Sequence, residues 1–357
     1  MKIVDTKTDK FIWSDDYKLT FNKKNGFTAR WGKTQEDDPQ YCPYGPEILD
    51  LEISSASEDD WNNMSELQIV TNHGCHGVGC RQFCYKANKQ GGSVHMSLDT
   101  FKQIMDRMPK TLCSIAFGVL SPIEQHPQVW EIFEECRNRG VIPNVTINQK
   151  VSDEVADKLA HYCGAVAVSV NPRNKEIAYD TIYRLSYFGE MNQVNIHIVL
   201  SNDSVDFIKE VVDDMKSDMR LAFMNALVML SFKDKACTHA MTPISTLAYR
   251  EVVDYCQQAK VNFGFDSCGA NVFTEVCPEL AQFAEPCESL LFSAYIDVNA
   301  KLYACSFTEK MGMWQEGIDV LAHDTFLEIW NSEKVQQWRD LLIGLNGRSC
   351  PEYTIGG

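Results

Sequence analysis

Two rhythms of apolar residues alternate along this chain. Short, continuous apolar runs are separated by longer stretches in which apolar side chains return every three or four positions. The runs ILDLEIS, ELQIVTN, LCSIAFG, VIPNVTIN, AVAVSV, QVNIHIVL and NALVMLS read as buried strands. The intervening stretches read as amphipathic helices. SLDTFKQIMDRM has Ser97 as its N-cap, with Leu98, Phe101, Met105 and Met108 on one face. PQVWEIFEECRNRG turns Val129, Ile132, Phe133 and Cys136 inward and stops at Gly140. SDEVADKLAHYCG is capped by Ser152, and KEIAYDTIYRLSYFG, SVDFIKEVVDDMKS and ISTLAYREVVDYCQQA follow in turn. Continuous apolar strands alternating with helices predict a parallel sheet covered by helices. Six strand–helix units predict an α/β fold, a partial (β/α)6 TIM-like barrel, since eight units would close the ring.

Outside that region the rhythm changes. YKLTFNKKNGFTARW alternates apolar side chains at Tyr17, Leu19 and Phe21, then at Phe27, Ala29 and Trp31, around Asn25-Gly26, and predicts a hairpin. An acidic, proline-containing linker follows. Past residue 262 the strand–helix alternation stops. The expected organisation is an N-terminal hairpin and linker over 1–45, a barrel over 46–262, and a small C-terminal α+β extension over 263–357.

Composition narrows the chemistry. The 357 residues are 45% apolar and 23% charged, enough to bury a sizeable core. A formal charge of −16 disfavours nucleic acid as a partner. The start, MKIVDTKTDKFIW, lacks the basic head and apolar run of a signal peptide, and no stretch is long and apolar enough to span a membrane. The expected location is cytoplasmic. In such a setting fourteen cysteines point to metal or redox chemistry or to buried thiols, not to a disulfide framework. Cys113, Cys136, Cys163 and Cys256 fall on apolar periodic positions and read as core residues.

One loop concentrates the thiols. TNHGCHGVGCRQFCYKAN carries Cys75, Cys80 and Cys84, three glycines, and Phe83 just before the last cysteine. It follows a strand, and in barrels of this kind reactive groups sit on loops at the C-terminal strand ends. Three thiolates are one short of saturating zinc or a simple cluster, and a [4Fe–4S] cluster held by three leaves one iron open. A zinc knuckle with a distant fourth ligand is the structural alternative.

This loop and the barrel around it, residues 46 to 262, resemble the radical S-adenosylmethionine (SAM) superfamily. The motif there is C-x3-C-x2-C with an aromatic residue before the last cysteine; here the spacing is C-x4-C-x3-C and Phe83 takes the aromatic place. The resemblance implies a [4Fe–4S] cluster on Cys75, Cys80 and Cys84 whose open iron binds SAM. It also implies reductive cleavage of SAM to a 5′-deoxyadenosyl radical, which abstracts hydrogen from a substrate. The segment that holds the SAM amino group in the family corresponds to FGVLSPIEQHP, where Gly118 and Pro122 fit and Glu124 stands in for the usual acidic residue. Asn148, Ser169, Asn171 and His197, at or near strand ends, are the further SAM-contact candidates. The implied electron donor is a flavodoxin or ferredoxin.

A second set of cysteines lies in the tail: Cys268, Cys277, Cys287, Cys305 and Cys350. CESLLFSAYIDVNAKLYACSF places Cys287 and Cys305 at the two ends of a hairpin turning near Asn299-Ala300. This is similar to the SPASM and twitch extensions that carry auxiliary clusters, with Ala300 where those have a turn glycine. A helix, DTFLEIWNSEKVQQWRDLL, then leads to Cys350. The resemblance implies a second, auxiliary [4Fe–4S] cluster on Cys268, Cys287, Cys305 and Cys350; a zinc ribbon on the same thiols is the structural alternative. The favoured substrate is a peptide or protein side chain, with a small molecule also expected in such a family. The alternatives are modification of a nucleotide or nucleic-acid base, and a non-catalytic binding protein stapled by a cluster or zinc.

Overall fold

A computed structural model describes residues 1–55, 94–120, 122–191, 193–235, 239–345 and 349–353. The strand expected over ELQIVTN and the thiol loop with Cys75, Cys80, Phe83 and Cys84 lie outside the described residues.

The chain opens with four antiparallel strands in sequence order: β1 (Lys2–Asp5), β2 (Asp9–Trp13), β3 (Lys18–Asn22) and β4 (Thr28–Trp31). The expected hairpin is β3–β4, turning through Gly26 at φ +73°. Tyr17, Leu19 and Phe21 are buried as their alternation requires, whereas Phe27 sits in the turn and is exposed. β1 and β2 enlarge the hairpin into a sheet.

The main sheet begins with β5 (Ile48–Glu52). The short pair β6 (Ser54–Ser55) and β7 (Val94–His95) follows, antiparallel, then α1 (Leu98–Arg107), β8 (Ser114–Gly118), α2 (Val129–Asn138) and β9 (Ile142–Ile147). Next come α3 (Asp153–Tyr162), β10 (Ala165–Ser169), α4 (Lys175–Tyr183), β11 (Val194–Leu200), α5 (Val205–Ser217), β12 (Ala226–Ser231) and α6 (Thr246–Ala259). The expected caps are present: Ser97 accepts from Thr100 N and Ser152 from Val155 N. Cys113, Cys136, Cys163 and Cys256 are buried thiols.

The strand–helix order does not stop at residue 262. β13 (Phe263–Phe265) joins β12 in parallel, and α7 (Ala270–Val276) follows. The tail adds β14 (Ser293–Ile296), β15 (Lys301–Tyr303), β16 (Ile318–Asp319), α8 (Phe326–Trp330) and α9 (Glu333–Gly344). The main sheet runs β13-β12-β11-β10-β9-β8-β5-β14-β15-β16. All strands from β13 to β14 are mutually parallel, and the last two are antiparallel. It is a partial TIM-like barrel that does not close.

Two tail details follow from local chemistry. Ala300 adopts φ +60° in the β14–β15 turn, the left-handed conformation for which glycine was expected. The stretch expected as one long helix is two, because Asn331-Ser332 breaks it; short polar side chains compete for backbone groups and favour ends over interiors. Trp314, Trp330 and Trp338 are buried beneath these helices, with Trp330 Nε1 donating to the Cys42 carbonyl at 2.8 Å. No helix among the described residues is long and apolar enough to cross a membrane.

Trp338 meets Trp314 edge-on at 6.0 Å and donates to Ser289 Oγ at 3.2 Å. Trp338→Ala is expected to cost about 3–5 kcal/mol of unfolding free energy, read by chemical denaturation. A loss below about 1 kcal/mol would mean the tail does not share the barrel's core.

Candidate functional site at the C-terminal strand ends

Parallel strands place all their C-terminal ends on one face. Along each strand alternate residues face the helices and the lumen. On β5, Leu49 and Leu51 join the helix-facing core, so Asp50 and Glu52 face the lumen. By the same alternation Thr146, Ser169, Asn195 and His197 face inward, and the register sets Ser169 beside His197.

β6 and β7 fix where the thiol segment leaves and re-enters. Ser54 pairs with His95 and Ser55 with Val94, just beyond the C-terminal end of β5. Leu120 N donates to Ser54 Oγ at 2.7 Å, and Ile53 N to the Gly118 carbonyl at 2.9 Å. Both flanks of residues 56–93 are therefore tied to the face where the other strands end.

The SAM-contact candidates on described residues gather on that face, with different commitments. Gly118 ends β8 opposite Glu52. Glu124 is exposed and accepts from Gln149 Nε2 at 2.6 Å, next in sequence to the buried Asn148. Ser169 ends β10, and its carbonyl accepts from Asn174 Nδ2. The Asn171 side-chain oxygen accepts from the Arg173 and Asn174 backbone, a turn-capping role. His197 lies one turn of pleat deeper than the strand end, and burial lowers its pKa to about 4, with Asp266 pulling the other way.

The tail thiols sit in one electrostatic neighbourhood. The Cys268 thiol is pushed well up by burial and by the proximity of Asp266, Cys287 and Cys305, against the pull of Lys233. Cys305 is likewise raised by burial, with Cys350 adding to the shift. Cys277 lies apart, near Arg250, Asp254 and Glu279. Among the described residues no group of three or more His, Cys, Asp or Glu side chains is placed to hold a metal ion.

Several polar residues here escaped the sequence reading. Asp50 is open to the lumen yet walled by protein, and this desolvation raises its pKa to about 6. The Tyr295 hydroxyl bridges Glu52 and Glu309 at 3.3 and 3.2 Å, all three buried. Lys233 pairs with Asp266 at 2.9 Å, just past the ends of β12 and β13. Acidic residues at alternate positions of an apolar strand, as in ILDLEIS, were the available signal. A cavity of about 280 Å3 lies at the opposite strand ends, lined by Phe21, Lys23, Glu47 and Asn144 among others, away from these groups.

No family model matches the chain, and no curated protein matches it. Among solved structures it is similar to Streptococcus suis SuiB, with a TM-score of 0.63 and 14% identity over 92% of this chain and 88% of that one. It also matches BtrN, solved in complex with AdoMet and 2-DOIA, with a TM-score of 0.42 and 10% identity over 83% of this chain and 87% of that one. The likeness to SuiB shows that the two chains share a fold.

Asp50 yields a pH test. Its folded pKa lies above the ordinary carboxylate value of 3.8, so the fold favours the neutral acid. That contribution is complete below the unfolded pKa and is lost as pH rises through about 6. Asp50→Asn is expected to raise stability near neutral pH and change it little in acid, as read by urea unfolding at each pH. An equal effect at both would contradict the lumen assignment.

Proposed function

We propose that the protein is a radical SAM enzyme that modifies a peptide or protein side chain. The observation that carries this reading is the anchoring of both flanks of the thiol segment at the C-terminal end of β5, on the face where Gly118, Glu124, Asn148, Ser169 and Asn171 gather. Cys75, Cys80 and Cys84 would hold a [4Fe–4S] cluster, and Phe83 is the aromatic residue of that motif. Such a cluster would supply the one-electron chemistry by which SAM is reductively cleaved. The residues on the face bind and orient the cofactor, and the walls of the lumen exclude water. His197, held neutral by burial, and Asp50, near half-protonation at about pH 6, line the space left for substrate. Cys268, Cys287, Cys305 and Cys350 would hold an auxiliary [4Fe–4S] cluster in a C-terminal extension beginning near residue 263. A flavodoxin or ferredoxin serves as electron donor, and the setting is cytoplasmic. The formal charge of −16 disfavours a polynucleotide substrate.

Reduced, anaerobically reconstituted protein given SAM is expected to release 5′-deoxyadenosine and to carry about eight irons. Replacing Cys75, Cys80 and Cys84 together with alanine should abolish that release and remove roughly half the iron. Retained cleavage would refute the assignment of these three thiols. Replacing Cys287 and Cys305 should spare SAM cleavage more than product formation from a peptide substrate; equal loss of both would make the tail structural.

A further inference from the structure

The four-stranded N-terminal sheet has one face packed inward and one open to solvent. Ile3, Ile12, Leu19 and Arg30 form one cross-strand row. This row faces inward: Ile12 and Leu19 are fully buried, and Arg30 pairs with Glu47 and stacks on Phe292 at 3.8 Å. Directly opposed residues share a face, and neighbours along a strand alternate. The next row, Lys2, Trp13, Lys18 and Trp31, therefore faces outward, and so does the row of Val4, Phe11, Thr20 and Ala29. Every residue of these two outer rows is at least partly exposed, Trp13 by 38%. Phe11 and Trp13 stack in parallel at 5.4 Å. A solvated sheet face ordinarily carries polar side chains, yet two indoles and a phenyl ring lie on this one.

The charge of this sheet is opposite to that of the rest of the chain. Residues 1–33 hold eight lysines and arginines against four aspartates, a formal +4, so the remainder carries −20. The aspartates are mostly committed. Asp5 is taken by Lys10 and Lys23 on the inward side. Asp9 accepts from Thr8 and Asn22, and Asp16 from Ser14 and Tyr44. Asp15 remains in the β2–β3 turn as the opposing charge. Lys18 Nζ is fixed by the Gly32 carbonyl at 2.8 Å, which leaves its charge uncompensated beside Trp13 and Trp31. Lys2 stands on the other side of Trp13, so cations and indoles alternate across all four strands.

We propose that the outer face of this sheet docks an acidic polypeptide segment that carries aromatic side chains, with Lys2 and Lys18 taking its carboxylates and Trp13 and Trp31 its rings. Charge complementarity selects the sign of the occupant. Size selects its class. Four strands span about 15 Å, which is room for a short segment. A long polyanion or an anionic membrane would extend over the surrounding −20 body and be repelled by it. The sheet also lies at the strand ends opposite the candidate site, where Phe21, Lys23 and Thr28 share a cavity with Ile48, Ser114 and Ala165. The surface therefore captures a segment without acting on it. The inference goes beyond the proposed reaction and needs none of the thiols.

Fluorescence anisotropy of labelled probes with the full-length protein tests it. A short peptide of alternating Glu and Tyr is expected to bind, and to bind more weakly as salt is raised. Its Lys–Tyr and Glu–Gly counterparts are expected to bind at least about tenfold more weakly. Trp13→Ser and Lys2→Glu are each expected to weaken the Glu–Tyr peptide by about tenfold. Trp13→Phe should stay near the parent, and so should Phe188→Ser, at a residue 65% exposed just before β11. Should Trp13→Ser fail to fold by circular dichroism, Lys2→Glu, at an exposed strand end, reads the same surface. The proposal is overturned if the Glu–Tyr peptide does not bind, if the Lys–Tyr peptide binds as well, or if Phe188→Ser costs as much as Trp13→Ser. Tighter binding of oligo-dT or of phosphatidylserine vesicles also overturns it, by making the partner a nucleic acid or a membrane. None of these outcomes bears on 5′-deoxyadenosine release, so this inference and the proposed function fail separately.

Discussion

The site depends on one strand having two neighbours. β5 pairs in parallel with β8 on one side and with β14 on the other, with Asp50 opposite both Ala116 and Tyr295. The first pairing places the exit of β5, and with it both flanks of the thiol segment, on the barrel's C-terminal face. The second welds the tail hairpin to the same sheet, so Cys287 and Cys305 are carried to the barrel and not left on a tether. Tyr295 then reaches from β14 to Glu52 and to Glu309, tying the strand that precedes the thiol segment to the loop that follows Cys305. Loss of the β5–β14 register would detach the tail hairpin from β5.

Polarity in the lumen follows from the same alternation. Leu49 and Leu51 satisfy the helices, leaving Asp50 and Glu52 to the interior; Ile196 and Ile198 do so on β11, leaving His197. A walled lumen penalises charge, so His197 is driven towards neutrality and Asp50 towards its acid form.

Much of this was legible in the sequence for reasons that are local. Continuous apolar strands and capped amphipathic helices carry their own period, so the six strand–helix units stood out. Asn299-Ala300 marked a turn needing a left-handed residue, and Ala300 takes that conformation. What escaped was set by distant partners. β13 is only three residues long, and its identity as a strand comes from β12. The break at Asn331-Ser332 lay inside an unbroken apolar rhythm. Asp50 and Lys233 were not singled out, although the acidic alternation in ILDLEIS was a signal for the first, and SFKDK does not say which of its charges is buried. The grouping of Cys268, Cys287, Cys305 and Cys350 was implied by the resemblance, and among the described residues no group of three or more such side chains is placed to hold a metal ion.

The central proposal is that Cys75, Cys80 and Cys84 leave one iron with a vacant position for the sulfonium cofactor. Mössbauer spectroscopy of 57Fe-loaded protein, with and without SAM, tests it most directly. The account predicts that SAM changes the signal of one iron in the cluster held by Cys75, Cys80 and Cys84 and leaves the rest unaltered. A spectrum indifferent to SAM, with that cluster present and every iron equally ligated, would contradict it.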